Sequence, residues 1–365
     1  MKEFELETYL SKSVKNIVSD ILKASFSYPK ASLFMLQYKN YSTKATALRK
    51  QAEENNDHIP PFLIASITNA CNLHCKGCFA RANQSCSDDS FGKLLTDHEW
   101  NHIFLQAKEL GIGFILLAGG EPLLRRDVLE IAGNVPEILF PVFTNATLLN
   151  EEYLTLFDKK RNLIPVLSIE GNQGTTDERR GDGIFQQLSH SMNKLMENKI
   201  LFATSITVTS KNMQEVLSSS FVKQLTTSGC KAIIYVEYVP TNETDKILAL
   251  DDTARDFMAK RLTEMRQEKN ALLFLSFPGD EKSFGGCLAA GRGFFHINAQ
   301  GGAEPCPFSP YSDTNLTETS LKDALRSPLF TNLSTSGILT KDHIGGCSLY
   351  VQDNAVRQAL EDVTL

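Results

Sequence analysis

Phe62-Leu63-Ile64-Ala65-Ser66-Ile67-Thr68-Asn69-Ala70-Cys71-Asn72-Leu73-His74-Cys75-Lys76-Gly77-Cys78-Phe79 is the stretch from which the fold is read. Its first seven residues are an apolar run rich in β-branched and aromatic side chains, the composition of a strand buried on both faces. The run feeds at once into three cysteines spaced C-x3-C-x2-C. Three thiolates on one short loop suit three corners of an iron–sulfur cubane and leave the fourth iron open to a small chelating ligand. Gly77 lets the backbone bend close to the sulfides. Zinc and incidental core packing are the competing readings. Zinc prefers four protein ligands, commonly as two separated pairs. This loop has one pair plus one cysteine, with His74 between them, and three cysteines within eight residues at a strand end do not resemble core packing.

The same strand texture recurs outward from this point. Runs over 113–118, 139–144, 163–169, 202–208 and 233–239 alternate with helical patterns. Thr96 and Glu99 form a capping box, Phe185, Leu188, Met192 and Leu195 stripe one helix, and Gly111 and Gly229 sit where C-caps belong. Six βα units with fully apolar strands predict a parallel sheet covered by helices, curled by right-handed crossovers into a complete or partial barrel. Chemistry on such a scaffold sits at the carboxyl ends of the strands. Residues 1–55 read as helical: Leu6, Leu10, Val14, Ile17 and Ile21 form a stripe, Pro29 interrupts it, and a second helix follows over about 31–54. That pair either packs on the main domain or docks on a membrane surface, since one amphipathic stripe serves both. A long helix is expected over about 252–270, and helices near 321–333 and 353–363. Phe294–Asn298 and Ala303–Cys306 are expected to pair as a hairpin around Gln300-Gly301-Gly302.

Composition narrows the function classes. The 365 residues are 42% apolar and 22% charged, ordinary for a soluble chain able to bury a large core without disulfides. With 37 basic and 43 acidic residues the net charge is −6, and no Lys/Arg block is present, a poor basis for gripping nucleic acid. No apolar run reaches the roughly 18 residues of a membrane span, and Met1 to Ser13 lacks the core of a secretion signal. A cytoplasmic, reducing setting is therefore expected, where eight cysteines point to metal or redox chemistry.

The triad after the first strand resembles the radical S-adenosylmethionine (radical SAM) superfamily, and further motifs fall in order. Ala118-Gly119-Gly120-Glu121-Pro122 ends the second strand and is similar to the family's Gly-Gly-Glu-Pro, whose backbone meets the amino group of SAM. Independently, glycines expose carbonyls and Glu121 adds negative charge beside a cationic ligand. Thr144-Asn145 ends the third strand where the family often has Thr-Asn-Gly; Ala146 replaces the glycine. Ser168-Ile169-Glu170-Gly171 ends the fourth and resembles Ser-Leu-Asp-Gly, with Ser168 toward the SAM ribose or carboxylate. Asp177-Glu178-Arg179-Arg180-Gly181 resembles the family's Arg-Gly segment, and Arg180 is the candidate for the SAM carboxylate. The resemblance implies S-adenosyl-L-methionine and a 4Fe–4S cluster at Cys71, Cys75 and Cys78, with Gly119, Gly120, Glu121, Pro122, Asn145, Ser168, Glu170 and Arg180 around the cofactor. It also implies an electron donor such as flavodoxin or ferredoxin.

A second cysteine set lies in the last third. Cys287, thirteen residues, Gly301, four residues and Cys306 match the opening of the twitch and SPASM domains that hold auxiliary clusters, and Cys347, after Gly345-Gly346, is a plausible third ligand. The later run of closely spaced cysteines of a full SPASM domain is missing, so the resemblance implies one auxiliary 4Fe–4S cluster. Its fourth ligand is left open, with Cys86 and Cys230 as the alternatives; a structural zinc is the competing reading. The expected fold is α/β: a partial (β/α)6 TIM-like barrel over 56–278, an N-terminal helical extension over 1–55, and a small C-terminal cluster-binding α+β domain over 279–365. Candidates for acid/base work are Glu237 and Tyr238 at the end of the sixth strand, His296, and Asp182. Glu237 interrupts an apolar strand, which is costly unless the charge is paired or functional. The expected activity is reductive cleavage of SAM and hydrogen abstraction from a small-molecule, lipid or cofactor-precursor substrate. Maturation of a ribosomally made peptide is the alternative, disfavoured because residues 1–55 read as helical and too short for a winged peptide-recognition domain. An iron–sulfur carrier without catalysis is a distant third.

Overall fold

The structure is a computed structural model that describes residues 6–240, 242–268, 272–340 and 347–364. Residues 1–5, 269–270 and the Gly345-Gly346 pair, on which readings above fall, lie outside the described residues. Among the described residues nine strands form one open sheet: β1 Phe62–Thr68, β2 Phe114–Gly119, β3 Phe140–Thr144, β4 Leu163–Ser168, β5 Ala203–Val208, β6 Ala232–Glu237, β7 Leu273–Phe277, β8 His296–Ile297 and β9 Ala303–Glu304. Their order is β7-β6-β5-β4-β3-β2-β1-β8-β9. All neighbours are parallel except β8 and β9, which form the expected hairpin.

The α/β fold class is the one expected, and the six strands lie within a residue or two of the runs read from sequence. The count differs. β7 adds a seventh strand in sequence beside β6, and β8 pairs with β1 at the opposite edge. Between these edges the gap is bridged by aromatic rings. Phe277 on β7 meets Phe294 edge-on at 5.7 Å, and Phe294 stacks on Phe62 of β1 at 5.1 Å.

Helix ends follow their local chemistry. The capping box of Thr96 and Glu99 is formed, and Gly111 closes the same helix in the left-handed region at φ 83°. The expected helix over 321–333 is two pieces, Leu321–Ala324 and Pro328–Thr335, because Ser327 caps a new start with Pro328 in its first turn. The N-terminal helices, α1 Leu6–Ala24 and α2 Pro29–Glu54, pack against each other and on the barrel. Their Val14, Val18, Met35 and Tyr38 share a core with Phe114, Leu139, Ile164 and Leu201, residues at or just before the starts of the strands. The pair thus seals the amino-terminal mouth of the barrel and leaves the carboxyl mouth to the site. Among the described residues no helix is long and apolar enough to cross a membrane.

Candidate functional site

The triad loop leaves β1 just after a break in register: Ser66 pairs Ala118 and Thr68 pairs Gly119, and the carbonyl of Ile67 between them accepts from Arg125 Nη1 at 3.1 Å. The loop is then fastened from several sides. Arg81 donates from Nε to the Leu73 carbonyl and from Nη2 to the Cys71 carbonyl, each at 3.0 Å. Lys76 N donates to the Arg179 carbonyl at 2.8 Å, and Arg179 Nε donates to the Lys76 carbonyl at 3.2 Å. Asn145 Nδ2 donates to Asn72 Oδ1 at 2.9 Å, tying the end of β3 to the same loop. Gly77 stands at φ 65°, and a Cβ there would lie 2.5 Å from the Tyr238 hydroxyl.

These ties gather most of the expected residues around one cavity of about 250 Å³ at the carboxyl ends of the strands. Cys71, Cys75, Cys78, Gly120, Glu121, Asn145, Ser168, Arg180, Glu237 and Tyr238 line it. Leu73, Phe79, Phe143, Val236, Val239 and Phe308 give it an apolar wall, and Arg179 and Thr207 complete the polar side. Gly119, Pro122, Glu170, Asp182 and His296 are not in the wall.

Each of these exceptions has a physical reason. A Cβ on Gly119 would lie 2.2 Å from the Thr68 carbonyl oxygen, and one on Gly120 would lie 1.9 Å from that of Ala70. The glycine pair therefore lets β2 press directly on the base of the triad loop, where Glu121 N donates to the Ala70 carbonyl at 2.8 Å. Pro122 opens a single 3₁₀ turn, Pro122–Leu124, and is buried. Glu170 is buried behind the arginines: its Oε1 accepts from Arg179 Nη1 at 2.5 Å and from Arg180 Nε and Nη2 at 2.8 and 2.5 Å. It holds the cofactor candidate Arg180 in place and is not itself at the cavity. Asp182 is exposed. His296 is buried in a chain of contacts, with Nε2 at 2.8 Å from Ser66 Oγ and Nδ1 at 2.6 Å from Glu304 Oε2.

Two lining carboxylates are also engaged by the chain. Glu121 accepts from Thr144 Oγ1 at 2.6 Å, Asn145 N at 2.8 Å and Leu123 N at 3.0 Å, so its carboxyl group is tied to the β2–β3 junction before any ligand. Burial pushes its carboxyl up to about 7, against the lowering pull of those donors. Glu237 accepts from Arg255 Nε at 3.1 Å, the ion pair that lets a charge end an apolar strand. The Tyr238 hydroxyl donates to Asp245 Oδ2 at 2.9 Å. Arg180 directs Nη1 toward Cys75 Sγ, 3.9 Å away. Cys71 is held down to about 6, chiefly by a hydrogen bond with Cys86, while burial opposes the shift.

The C-terminal cysteines also converge. Burial raises the thiols of Cys287, Cys306 and Cys347, and the charges of the set and of Glu281 add to the rise. Neither alternative for the fourth ligand belongs there. Cys86 lies against Cys71 of the triad loop. Cys230 is sealed in the core, donating to the Ala232 carbonyl at 3.0 Å and lying 3.6 Å from Thr204 Oγ1. The two cysteine sets are neighbours: Phe79, next to Cys78, meets Phe308, two residues past Cys306, edge-on at 4.8 Å. Among the described residues no three His, Cys, Asp or Glu side chains gather tightly enough for one metal ion. Sequence reasoning missed Arg81, Thr207, Phe308 and Glu281. Arg81 lies three positions past Cys78, which is the only signal it offered, and Arg179 was read as the lesser alternative to Arg180.

Residues 65–218 match the Radical SAM superfamily. The chain is 27% identical over 292 residues to the AdoMet-dependent heme synthase of Methanosarcina barkeri, covering 72% of this chain and 81% of that protein. It is 26% identical over 275 residues to the sporulation killing factor maturation protein SkfB of Bacillus subtilis, covering 73% of this chain and 65% of that one, just under two thirds of its length. The solved structure of Streptococcus suis SuiB bound to S-adenosylmethionine matches with a TM-score of 0.65 at 18% identity, over 83% of this chain and 72% of that one. At that identity the likeness is one of fold.

Proposed function

We propose that this chain, whose residues 65–218 are a radical SAM domain, binds S-adenosyl-L-methionine on a 4Fe–4S cluster at Cys71, Cys75 and Cys78 and takes a hydrogen atom from an unactivated carbon of a small substrate. The observation that carries this reading is the meeting, in one cavity, of the three thiols with Gly120, Asn145, Ser168 and Arg180. When bound, the cluster supplies the electron that splits the cofactor's carbon–sulfur bond. The chain's own residues do the rest. Arg180, braced by Glu170, keeps Nη1 at the cavity to pair an anionic ligand group. Asn145 and Ser168 give polar contacts, and the wall of Leu73, Phe79, Phe143, Val236, Val239 and Phe308 excludes water and holds the target carbon close. Glu237 is the proposed acid/base group, with Tyr238 beside it; both line the cavity.

One auxiliary 4Fe–4S cluster is assigned to Cys287, Cys306 and Cys347. Its nearness to the cavity through Phe308 suits electron relay after abstraction. A flavodoxin or ferredoxin is the proposed donor, in a reducing cytoplasm. A small molecule or cofactor precursor is the favoured substrate class. The cavity, about 250 Å³, lies just below the usual range for ligand sites, about 300–1,000 Å³, and a relative of which 81% is covered is named a heme synthase. A peptide that inserts one side chain is the second reading, favoured by the likeness to a killing-factor maturation protein.

Anaerobic reconstitution, iron counting and a 5′-deoxyadenosine assay with reductant test the reading. About eight irons in the wild type and about four after Cys71, Cys75 and Cys78 are changed to Ala are expected, with deoxyadenosine formed only by the wild type. Intact clusters without deoxyadenosine under any reductant or candidate substrate would return the chain to the electron-carrier reading.

A further inference from the structure

We propose that the Ser309 hydroxyl donates a hydrogen bond to a sulfur of the auxiliary cluster and so sets how readily that cluster is reduced. The inference rests on the reading that Cys287, Cys306 and Cys347 hold the cluster.

The chain leaves β9 through Pro305 and turns at once. Ser309 N donates to the Cys306 carbonyl at 2.9 Å, closing a turn whose tip is Pro307 and Phe308. Cys306 and Ser309 face each other across this turn as an antiparallel pair. Residues paired in that way carry their side chains on one face, with Cβ atoms about 4.5–5.5 Å apart. The Ser309 hydroxyl therefore stands on the same side of the turn as the Cys306 thiol. The turn is also fixed from outside. Ala290 N donates to the Pro305 carbonyl at 3.0 Å, and Tyr311 N donates to the Ser309 carbonyl at 2.9 Å. At the tip, Phe308 meets Phe79 and lines the SAM cavity. One turn thus joins the cavity to the second cysteine set.

Ser309 is 1% exposed and Cys306 is 2% exposed. Among the described residues the Ser309 Oγ has no hydrogen-bond partner, and no other fully enclosed hydroxyl is left without one. A hydroxyl shut away from water and unpaired is costly. Serine ordinarily escapes that cost by bonding a nearby carbonyl; this one does not. It is a donor kept for an acceptor that the cysteines bring. Cluster sulfurs accept hydrogen bonds, and such bonds are one means by which a protein sets a cluster's potential. A hydrogen bond from the Phe308 amide already works against the burial that raises the Cys306 thiol, so the same turn offers two donors. Reduction adds negative charge to the sulfurs. A donor aimed at them stabilises the reduced state and raises the potential.

The test uses the full chain with Cys71, Cys75 and Cys78 changed to Ala, so that only the auxiliary site takes iron. After anaerobic reconstitution with iron and sulfide, about four irons per chain are expected in this parent and in Ser309→Ala alike. In a redox titration followed by EPR, the midpoint of Ser309→Ala should lie below the parent's. Ser309→Thr, which keeps the hydroxyl, should return toward the parent. After exchange into heavy water, ENDOR of the reduced cluster should show one coupled deuteron fewer in Ser309→Ala and the full set in Ser309→Thr. Added cyanide should act on the parent and on Ser309→Ala alike. No iron in the parent overturns the auxiliary-cluster reading and the hydrogen bond with it. Iron in the parent with an equal or higher midpoint in Ser309→Ala, or with no deuteron lost, overturns the hydrogen bond alone; the hydroxyl is then served by a buried water. A cyanide effect confined to Ser309→Ala also overturns it, by making the oxygen an iron ligand. Loss of iron from Ser309→Ala overturns it as well, because a donor to sulfur is not needed for the thiolates to hold the cluster.

Discussion

At Glu121 the balance of burial and hydrogen bonding yields a measurable pH signature. Its carboxyl is pushed from 4.5 up to about 7, with burial outweighing three donors. The folded chain then holds a proton that the unfolded chain releases between those values, so stability falls as pH rises through that window. The loss is on the order of 3 kcal/mol. Glu121→Gln has no proton to lose. In denaturant melts of the metal-free protein from pH 4.5 to 8, wild-type stability should drop relative to the variant by that amount; a constant difference would refute the shift. Ala146 poses a different balance. It stands at φ 60°, the left-handed region, at a position where the motif it resembles often has glycine, and is 2% exposed. Relief of about 1–2 kcal/mol from the left-handed backbone opposes the buried methyl, worth about 0.8 kcal/mol, and unfolded-state entropy of about 0.4–1 kcal/mol. Ala146→Gly should therefore leave stability within about 1 kcal/mol of wild type, while a β-branched Ala146→Val should cost more than about 2 kcal/mol, both read from melts. The motif cysteines and Arg180 were legible because their chemistry is rare in a strand-end loop. Glu281 and Arg81 were not, since a single charged residue in a loop looks solvated until packing buries it.

Strands and turns explain why the order of motifs along the chain becomes a site. The six first strands were legible as apolar runs because a parallel sheet buries both faces. β7 was not, because it is only five residues long, stops just before Pro278 and pairs with β6 at an edge of the sheet. The split of the 321–333 helix was hidden for a similar reason, since Pro328 reads as a breaker or as a first-turn residue depending on its cap. The end of β2 illustrates what spacing alone does not tell. Gly119 and Gly120 read as backbone for a ligand, but they also carry the contact between β2 and the triad loop. A Cβ at Gly120 would strike the Ala70 carbonyl, a backbone atom that yields only if the loop moves. Gly120→Ala should therefore cost about half the reconstituted iron, the share of the triad cluster, while leaving the auxiliary share. An unchanged iron count would mean that the loop yields without losing its ligands. Glu170 works between elements too: it braces two arginines from the helix Gln173–Arg180 and accepts from Thr207 N on β5 at 3.0 Å. Glu170→Gln keeps the shape but removes the charge that holds both guanidinia. It should raise the KM for S-adenosylmethionine at least about tenfold, from an effect of about 1.4 kcal/mol or more. An equal KM would mean that Arg180 is positioned without it.

Taken as a whole, the molecule has a closed end and a working end, and the N-terminal helices decide which is which. Their amphipathic stripe was open to two readings, packing or docking. The packed face is now identified: Met35 is 1% exposed and Tyr38 fully buried, with the Tyr38 hydroxyl donating to the Gly113 carbonyl at 2.5 Å. Arg49 Nη1 donates to the Gly111 carbonyl at 2.7 Å, so α2 is also fixed to the turn that precedes β2. The other face of the same helix carries Leu33 at 72% exposure and Leu36 at 54%. The two readings therefore apply to different residues and separate by experiment. Met35→Lys places a charge in the sealed mouth beside Phe114 and Ile164 and should destabilise by more than about 3 kcal/mol, seen as a lost or early denaturant transition. Leu33→Lys should stay within about 0.5 kcal/mol and keep deoxyadenosine formation at the wild-type rate. If α2 is only a plug, neither the wild type nor Leu33→Lys should sediment with anionic vesicles. Sedimentation of the wild type that Leu33→Lys abolishes, at unchanged stability, would give the helix a second task on its outer face. Equal stability losses for Met35→Lys and Leu33→Lys would instead contradict the packing of α2, and with it the assignment of the closed end.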